Sequence, residues 1–263
     1  MNLKRLGKTE VFVPEIGLGT WNYEGGVEPL RAGIELGASL IDTAEGYYTE
    51  DIVGEAVLPF RDEVIIATKV SGRNLAHDSV LRSCEASLEK LRTDCIDLYQ
   101  IHWPNPAYPI DATMRALEKL VDRGCVSYVG VSNFSVRQMR EAQHCFPNYP
   151  IVSNQVLYNL RSRDIEKELL PYCQNNDITV MAYTPLDAGR LCRTRRGGIL
   201  GVLSQIAVET GKTEAQVALN WCVCQENVIV IPKADSVART VENCGASGWR
   251  LSPEQLSRLD DAF

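Results

Sequence analysis

Eight short apolar runs recur along this chain of 263 residues, at positions 16–20, 40–42, 64–69, 96–102, 126–131, 151–155, 178–183 and 228–231. After each comes a stretch whose apolar residues recur at helical spacing. Strands separated by helices lie parallel, because a crossover helix returns the chain to the end it started from. Eight such units closed into a barrel occupy about 250 residues, which leaves room for little else. No Pro-, Gly- or Ser-rich linker interrupts the alternation, so residues 1–263 read as a single domain. An open doubly wound sheet also alternates. It binds dinucleotides through a three-glycine turn after its first strand, whereas Gly17-Leu18-Gly19 lacks the third glycine and opens no helix. The expectation is an α/β chain folded as a (β/α)8 TIM barrel, with an N-terminal β-hairpin and extra C-terminal helices.

The hairpin is expected over residues 3–11 around Gly7-Lys8, plugging the barrel bottom. Helices are expected at 27–36, 50–58, 79–91, 111–122, from an N-cap at Ser135, and at 164–175, 199–209, 213–225 and 236–244. A closing helix begins at Ser252-Pro253, a cap followed by proline in the first turn. The longest stretch without pattern is 184–198, with three glycines and four arginines. Loops of that length are often functional.

Three of the strands end in titratable side chains: Asp42, Lys69 and His102. Parallel barrels keep their chemistry at the carboxyl ends of the strands, so these three are aimed at one rim. Period-two parity sets Ile65, Ala67 and Lys69 on one face, with a small residue beneath the lysine. Tyr47 follows Asp42 by five residues, which puts an acid and a phenol at the mouth of one strand. Taken singly, Asp42 and Lys69 read as a structural ion pair, His102 as a hydrogen-bonded core histidine and Tyr47 as a rim aromatic. Their joint placement at strand ends favours proton-transfer chemistry.

Composition narrows the function classes. Hydrophobic content of 45% with 23% charged residues is that of a globular chain rather than a disordered one. A formal charge of −7 argues against nucleic acid as a partner, and the one basic run, Arg193 to Arg196, is short. Nothing approaches a run of about 18 apolar residues, so neither a signal peptide nor a membrane span is expected, and the location is read as cytoplasmic. Nine scattered cysteines without a CxxC read as reduced thiols, with no metal site.

In order along the chain, GLGTW from Gly17, IDTAEGY from Ile41, ATK from Ala67, QIHWP from Gln100, GVSNF from Gly130, NQ at Asn154-Gln155, AYTPL from Ala182 and IPK from Ile231 resemble the aldo-keto reductase family. The resemblance implies hydride transfer between NADPH and a carbonyl, with NADH as a weaker alternative. It places the catalytic tetrad on Asp42, Tyr47, Lys69 and His102. Independently, a carbonyl that gains alkoxide character needs a proton donor, and free tyrosine, with a pKa of about 10, is a weak one. Lys69, kept charged by Asp42, is expected to lower the pKa of Tyr47, while His102 holds and polarises the carbonyl oxygen.

The same resemblance puts the nicotinamide carboxamide at Ser132, Asn133 and Gln155, with the Tyr183 ring stacked on the nicotinamide. Thr20, Trp21, Thr184 and Leu186 join the coenzyme site, the pyrophosphate lying near 186–189. Lys233, Ser236 and Arg239 would meet the adenosine 2′-phosphate, and Glu242 and Asn243 the adenine. The substrate pocket draws on Trp21, Tyr23, Tyr48 and Trp103, which suits aldehydes and small ketones with apolar parts. The short tail after the closing helix leaves that pocket uncovered, so broad substrate acceptance is expected. Two positions depart from the family pattern: Tyr48, where glycine is common, and Ala234-Asp235, beside the phosphate site. Two other readings remain open, a Schiff-base aldolase or isomerase working through Lys69 and a nucleotide-binding regulatory subunit. The partner is a small carbonyl compound, and the assembly a monomer or small homo-oligomer.

Overall fold

The computed structural model describes residues 1–192 and 199–263. Eight parallel strands form one sheet: β3 (Leu18–Gly19), β4 (Leu40–Asp42), β5 (Ile65–Val70), β6 (Ile96–Ile101), β7 (Val126–Ser132), β8 (Ile151–Leu157), β9 (Thr179–Tyr183) and β10 (Val228–Val230). They lie side by side in chain order from β3 to β10. The sheet closes where the first strand meets the last: Ile16 bridges Val230 and Gly19 bridges Lys233, both parallel. Gly17 N donates to Val230 O at 2.8 Å, and Val230 N to Glu15 O at 3.0 Å. A Cβ on Gly19 would sit 2.5 Å from Ile231 O, so this seam requires glycine. The molecule is a (β/α)8 barrel.

The hairpin pairs β1 (Leu3–Arg5) with β2 (Phe12–Pro14), antiparallel. Its second strand therefore begins after residue 11, not before it as the Gly7-Lys8 signal predicts. The reason is that the intervening chain dips into the bottom of the barrel. Leu6 is buried among Leu40, Ala67, Leu98, Val152, Met181 and Ile229, and Gly7, at φ +53°, rests against the Val152 backbone where a Cβ would collide. The hairpin does plug the bottom. Lys4 fastens it, donating to the carbonyls of Val223, Gln225 and Val228 at 2.7, 2.8 and 2.7 Å. Those groups end a helix and open a strand, where carbonyls otherwise lack partners.

Helices α1 (Glu28–Glu35), α2 (Glu50–Val57), α3 (His77–Leu91), α4 (Ile110–Asp122), α5 (Val136–His144) and α6 (Leu169–Asn175) alternate with the strands through β9. Next come α7 (Ile199–Thr210) and α8 (Glu214–Cys224), then α9 (Val237–Cys244) after β10, and α10 (Pro253–Ala262). Helix α8 is buried without a break from Val217 to Val223, whereas α3 lays one stripe on the barrel. In α3 the buried residues are Val80, Ser83, Cys84, Ser87 and Leu91, three or four apart. Ser135 caps α5, and its partner Gln138 completes a capping box.

The helix expected over 164–175 is broken into a 3-10 turn (Asp164–Lys167) and α6, with Glu168 out of helical geometry at φ −144°. Pro171 explains the break. Inside one continuous helix it would lack an N–H partner and clash, whereas the interruption puts it in a first turn, where that N–H is not needed. Of the patternless stretch 184–198, the segment Asp187–Cys192 forms a 3-10 turn, and Arg193 to Arg196 lie outside the described residues.

All nine cysteines are free thiols, and burial pushes Cys84 and Cys173 up to about 12, far from a reactive thiolate. Among the described residues no helix is long and apolar enough to cross a membrane.

Candidate active site

The strands deliver three of the four expected catalytic residues directly. β4 ends on Asp42, β5 carries Lys69 one residue before its end, and His102 follows β6. Tyr47 closes a single 3-10 turn, Glu45–Tyr47, just beyond Asp42. Lys69 is wholly buried, its Nζ donating to Asp42 Oδ2 and to Thr43 O, both at 2.7 Å. That ammonium lies 4.8 Å from the centre of the Tyr47 ring. The phenol oxygen is 3.2 Å from His102 Nε2, and the two rings meet edge to face. One rim therefore holds all four groups in contact.

Two buried charges hold together in an interior only when their remaining hydrogen-bonding capacity is also met. Here Gln155 Nε2 donates to Asp42 Oδ1 at 2.6 Å, and Thr43 O takes a second Lys69 proton. Burial raises the Asp42 carboxyl and lowers the Lys69 ammonium, while each partner pulls the other back towards its charged form. Burial also holds His102 down to about 4, with the Lys69 charge adding to it, so the imidazole is neutral at physiological pH.

The Tyr47 phenol contradicts the expectation of a lowered pKa. Burial foremost, then the Asp42 carboxylate and then Tyr183, hold it well above the ordinary phenol value. Lys69 does not reverse this, because its charge is committed to Asp42. The chemical outcome is useful. A phenol that stays protonated at every working pH is always in the form that donates, and its acidity has to appear only as negative charge develops on an oxygen beside it.

The residues assigned to the nicotinamide form one hydrogen-bonded web beside Tyr47. Ser132 Oγ donates to Gln155 O at 2.8 Å and accepts from Asn133 Nδ2 at 3.0 Å. Asn133 Nδ2 also reaches His102 O at 3.2 Å, and Tyr183 donates its hydroxyl to Asn133 Oδ1 at 3.0 Å. Asn133 takes a left-handed φ of +63°, which asparagine tolerates, and this turns its side chain to these partners. Thr20 is buried instead, its hydroxyl on Asp42 O and Thr49 at 2.9 Å each. Thr184 accepts from Asn159 Nδ2 at 3.0 Å, and Leu186 is half-buried against the core.

At the far side of the rim Ser236 caps α9, and its first turn exposes Arg239. Lys233 pairs with Asp235, which also accepts from Glu24 N at 3.0 Å. Asp235 therefore neutralises one of the two cations expected at the phosphate. Glu242 is half-buried and Asn243 buried.

Trp21, Trp103 and Tyr48 stand exposed at the rim. Tyr23 does not offer a hydroxyl to a pocket, since it is buried and donates to Gly26 O at 2.6 Å. Tyr48 adopts φ +59° and ψ +31°, the left-handed conformation that favours glycine, and its ring is 85% exposed. Relief of that strain outweighs the flexibility glycine adds to the unfolded chain. Tyr48→Gly is expected to stabilise the fold by about 0.5 to 1 kcal/mol, read as a higher midpoint in urea unfolding; a lower midpoint would show that the ring packs against the rim.

A rim of this kind moves protons at the carboxyl end of a (β/α)8 barrel, which sets the molecule among the barrel enzymes. Comparison with known proteins is specific. The profile of the aldo/keto reductase family matches residues 15–263. Methylglyoxal reductase YeaE of Escherichia coli (strain K12) is 40% identical over 97% of this chain and 92% of its own length. Glyoxal reductase of Bacillus subtilis (strain 168) is 37% identical over 95% and 89%. Among solved structures, an aldo/keto reductase of Klebsiella pneumoniae in complex with NADP and acetate superposes with a TM-score of 0.88, at 39% identity over 98% of this chain and 94% of that one. The chain belongs to the aldo/keto reductase family and is an oxidoreductase.

Proposed function

We propose that residues 1–263 work as a single barrel domain that reduces aldehydes and small ketones with NADPH, small 2-oxoaldehydes foremost. The observation that carries this reading is the 3.2 Å approach of the Tyr47 hydroxyl to His102, with Lys69 over the phenol ring. A carbonyl oxygen placed between Tyr47 and His102 takes its proton from Tyr47 and is oriented by the neutral imidazole. Lys69 and Asp42 support the donor from beneath. Trp21 and Trp103 supply apolar walls for the rest of the substrate. The two reductases of dicarbonyl compounds among the relatives support the choice of substrate.

The residues present fit a nicotinamide coenzyme. Amide and hydroxyl groups of Ser132, Asn133 and Gln155 match a carboxamide, and Tyr183 is half-buried beside them. Ser236, Arg239 and Lys233 bring a helix N-terminus and positive charge to a phosphate. When bound, NADPH supplies the hydride. A Schiff-base role for Lys69 is disfavoured, because its amine is wholly buried and held by Asp42 and Thr43. The nine free thiols support a cytoplasmic location, and the assembly proposed is a monomer or small homo-oligomer.

Loss of NADPH absorbance with methylglyoxal, glyoxal and a panel of simple aldehydes tests the reaction; no turnover of any of them would overturn it. Arg239→Ala is expected to weaken NADPH by about one to two decades, the worth of one charge-assisted hydrogen bond, and to leave NADH nearly unchanged. Arg239 carries most of this preference because Lys233 is already paired with Asp235. Equal weakening of both coenzymes in a fluorescence titration would assign Arg239 to the fold instead.

A further inference from the structure

The loop that carries Tyr47 away from β4 is fastened at its neck, where the buried Thr43 and Thr49 meet hydroxyl to hydroxyl at 2.9 Å. Gly46 and Tyr48, at its tip, are exposed. Between neck and tip, among the described residues, one side chain besides Tyr47 ties the loop to the rest of the rim by hydrogen bonds. Glu45 Oε1 accepts from Ser71 N at 2.5 Å and from Asn74 Nδ2 at 2.9 Å. Hydrogen bonds to a carboxylate are stronger than those between neutral groups. The chemistry described so far does not use this one.

The place of Ser71 gives the contact its meaning. β5 ends at Val70, and the Val70–Ser71 peptide is one planar unit whose C=O and N–H point opposite ways. Its carbonyl accepts from His102 N at 2.9 Å, and its N–H donates to Glu45. β5 lies between β4 and β6, so the chain leaving β4 with Tyr47 and the chain leaving β6 with His102 grip one peptide from its two sides. The 3.2 Å between the Tyr47 hydroxyl and His102 Nε2 is spanned by these same two chains. Asn74 adds a second hold from the loop after β5, and Gly72 O in that loop accepts from Asn105 Nδ2, just past His102, at 2.7 Å.

We propose that Glu45 is a positioning residue for the proton donor: by binding Ser71 N and Asn74 Nδ2 it seats the Tyr47 turn on the end of β5 and sets the separation of Tyr47 from His102 at which a carbonyl oxygen is received. The proposal rests on the reduction reading of the preceding section and adds a residue to it. In that reading Glu45 touches neither substrate nor coenzyme. A reacting group misplaced by about 1 Å can lose about a hundredfold in rate, so a loop held only at its neck would leave Tyr47 present but badly aimed.

Single-turnover reduction of methylglyoxal by the preformed NADPH complex isolates the chemical step, and NADPH affinity is titrated separately. Glu45→Ala removes the acceptor, Glu45→Gln keeps Oε1 without the charge, and Asn74→Ala removes one of the two donors. Expected for Glu45→Ala is a chemical step slower by about ten- to a hundredfold, with NADPH affinity within about twofold of wild type. Glu45→Gln should recover the step to within about threefold, the difference between a charged and a neutral acceptor. Asn74→Ala should show a smaller loss alone and none on top of Glu45→Ala, since the two act through one contact. An unaltered step in Glu45→Ala, or a glutamine variant as slow as the alanine one, would overturn the proposal. So would an equal loss of rate and of NADPH affinity, which would assign Glu45 to the fold. Should Glu45→Ala fail to fold, Asn74→Ala carries the test, and a wild-type rate there overturns the proposal. A wild type that reduces no methylglyoxal is a separate result, which overturns the reduction reading and this proposal with it.

Discussion

Tyr47→Phe should lower kcat for methylglyoxal by about a thousandfold, within the range a positioned acid contributes, and leave the Kd for NADPH within about twofold. The substitution removes one oxygen. That oxygen lies 3.2 Å from His102 Nε2, and His102, which burial keeps neutral, is no acid to replace it. Phenylalanine keeps the ring over which Lys69 sits, so the edge contact with His102 and the pocket floor survive. The hydrogen-bonded web proposed for the coenzyme runs through Ser132, Asn133, Gln155 and Tyr183 and does not include Tyr47. Stopped-flow reduction, with NADPH binding measured separately, decides the outcome. A variant that reduces substrate at near wild-type rate would remove Tyr47 from the chemistry.

Lys69→Met should cost both activity and stability, the latter by about 3 to 5 kcal/mol, the usual result of stripping one partner from a buried ion pair. Asp42 is 2% exposed, and without the ammonium its carboxylate keeps only the Gln155 bond as a close partner. Thr43 O loses its donor as well. The double variant Lys69→Met with Asp42→Asn removes both charges, so it should recover most of the stability while remaining inactive. Urea unfolding of the single and double variants separates the two effects. A single variant as stable as wild type would mean that Asp42 is already neutral in the folded protein.

Residue patterns carried the barrel because the alternation of periods two and 3.6 is local, and so is the parity that turns Ala67 and Lys69 inward. They carried the positions of Asp42, Lys69 and His102 for the same reason: a side chain at the end of a strand is placed by the strand. What they missed lies between elements. The bond from Gln155 to Asp42 spans 113 positions. Glu45 stands two residues before Tyr47, but its bond to Ser71 N spans 26 positions and has no local signal. The raised Tyr47 phenol follows from burial, which no local pattern records. The bond from the Tyr23 hydroxyl to Gly26 O, which takes this aromatic out of the pocket, is likewise a tertiary contact that spacing does not record. Pro171 breaks the helical period over 164–175, because its ring cannot sit inside a continuous helix.

The seam between β3 and β10 sets a timetable for the polypeptide. The hairpin lysine that fastens the base finds its acceptor on Val223, 219 positions further along, and β3 waits almost as long, Gly19 N finding Pro232 O in the last strand's continuation. A ribosome adding about 5–20 residues per second takes roughly ten to forty seconds to cover that span. For all of it the β3 edge stands open, with its backbone groups available to any neighbouring strand. The hoop of strands becomes a hoop only when nearly the whole chain has been made, and the rim that β3, β4, β5 and β6 begin to assemble acquires its final curvature at that late moment. The glycine at the seam thus serves the newborn chain as well as the finished one: with no side chain to move aside, Gly19 lets the oldest strand accept the youngest on first contact.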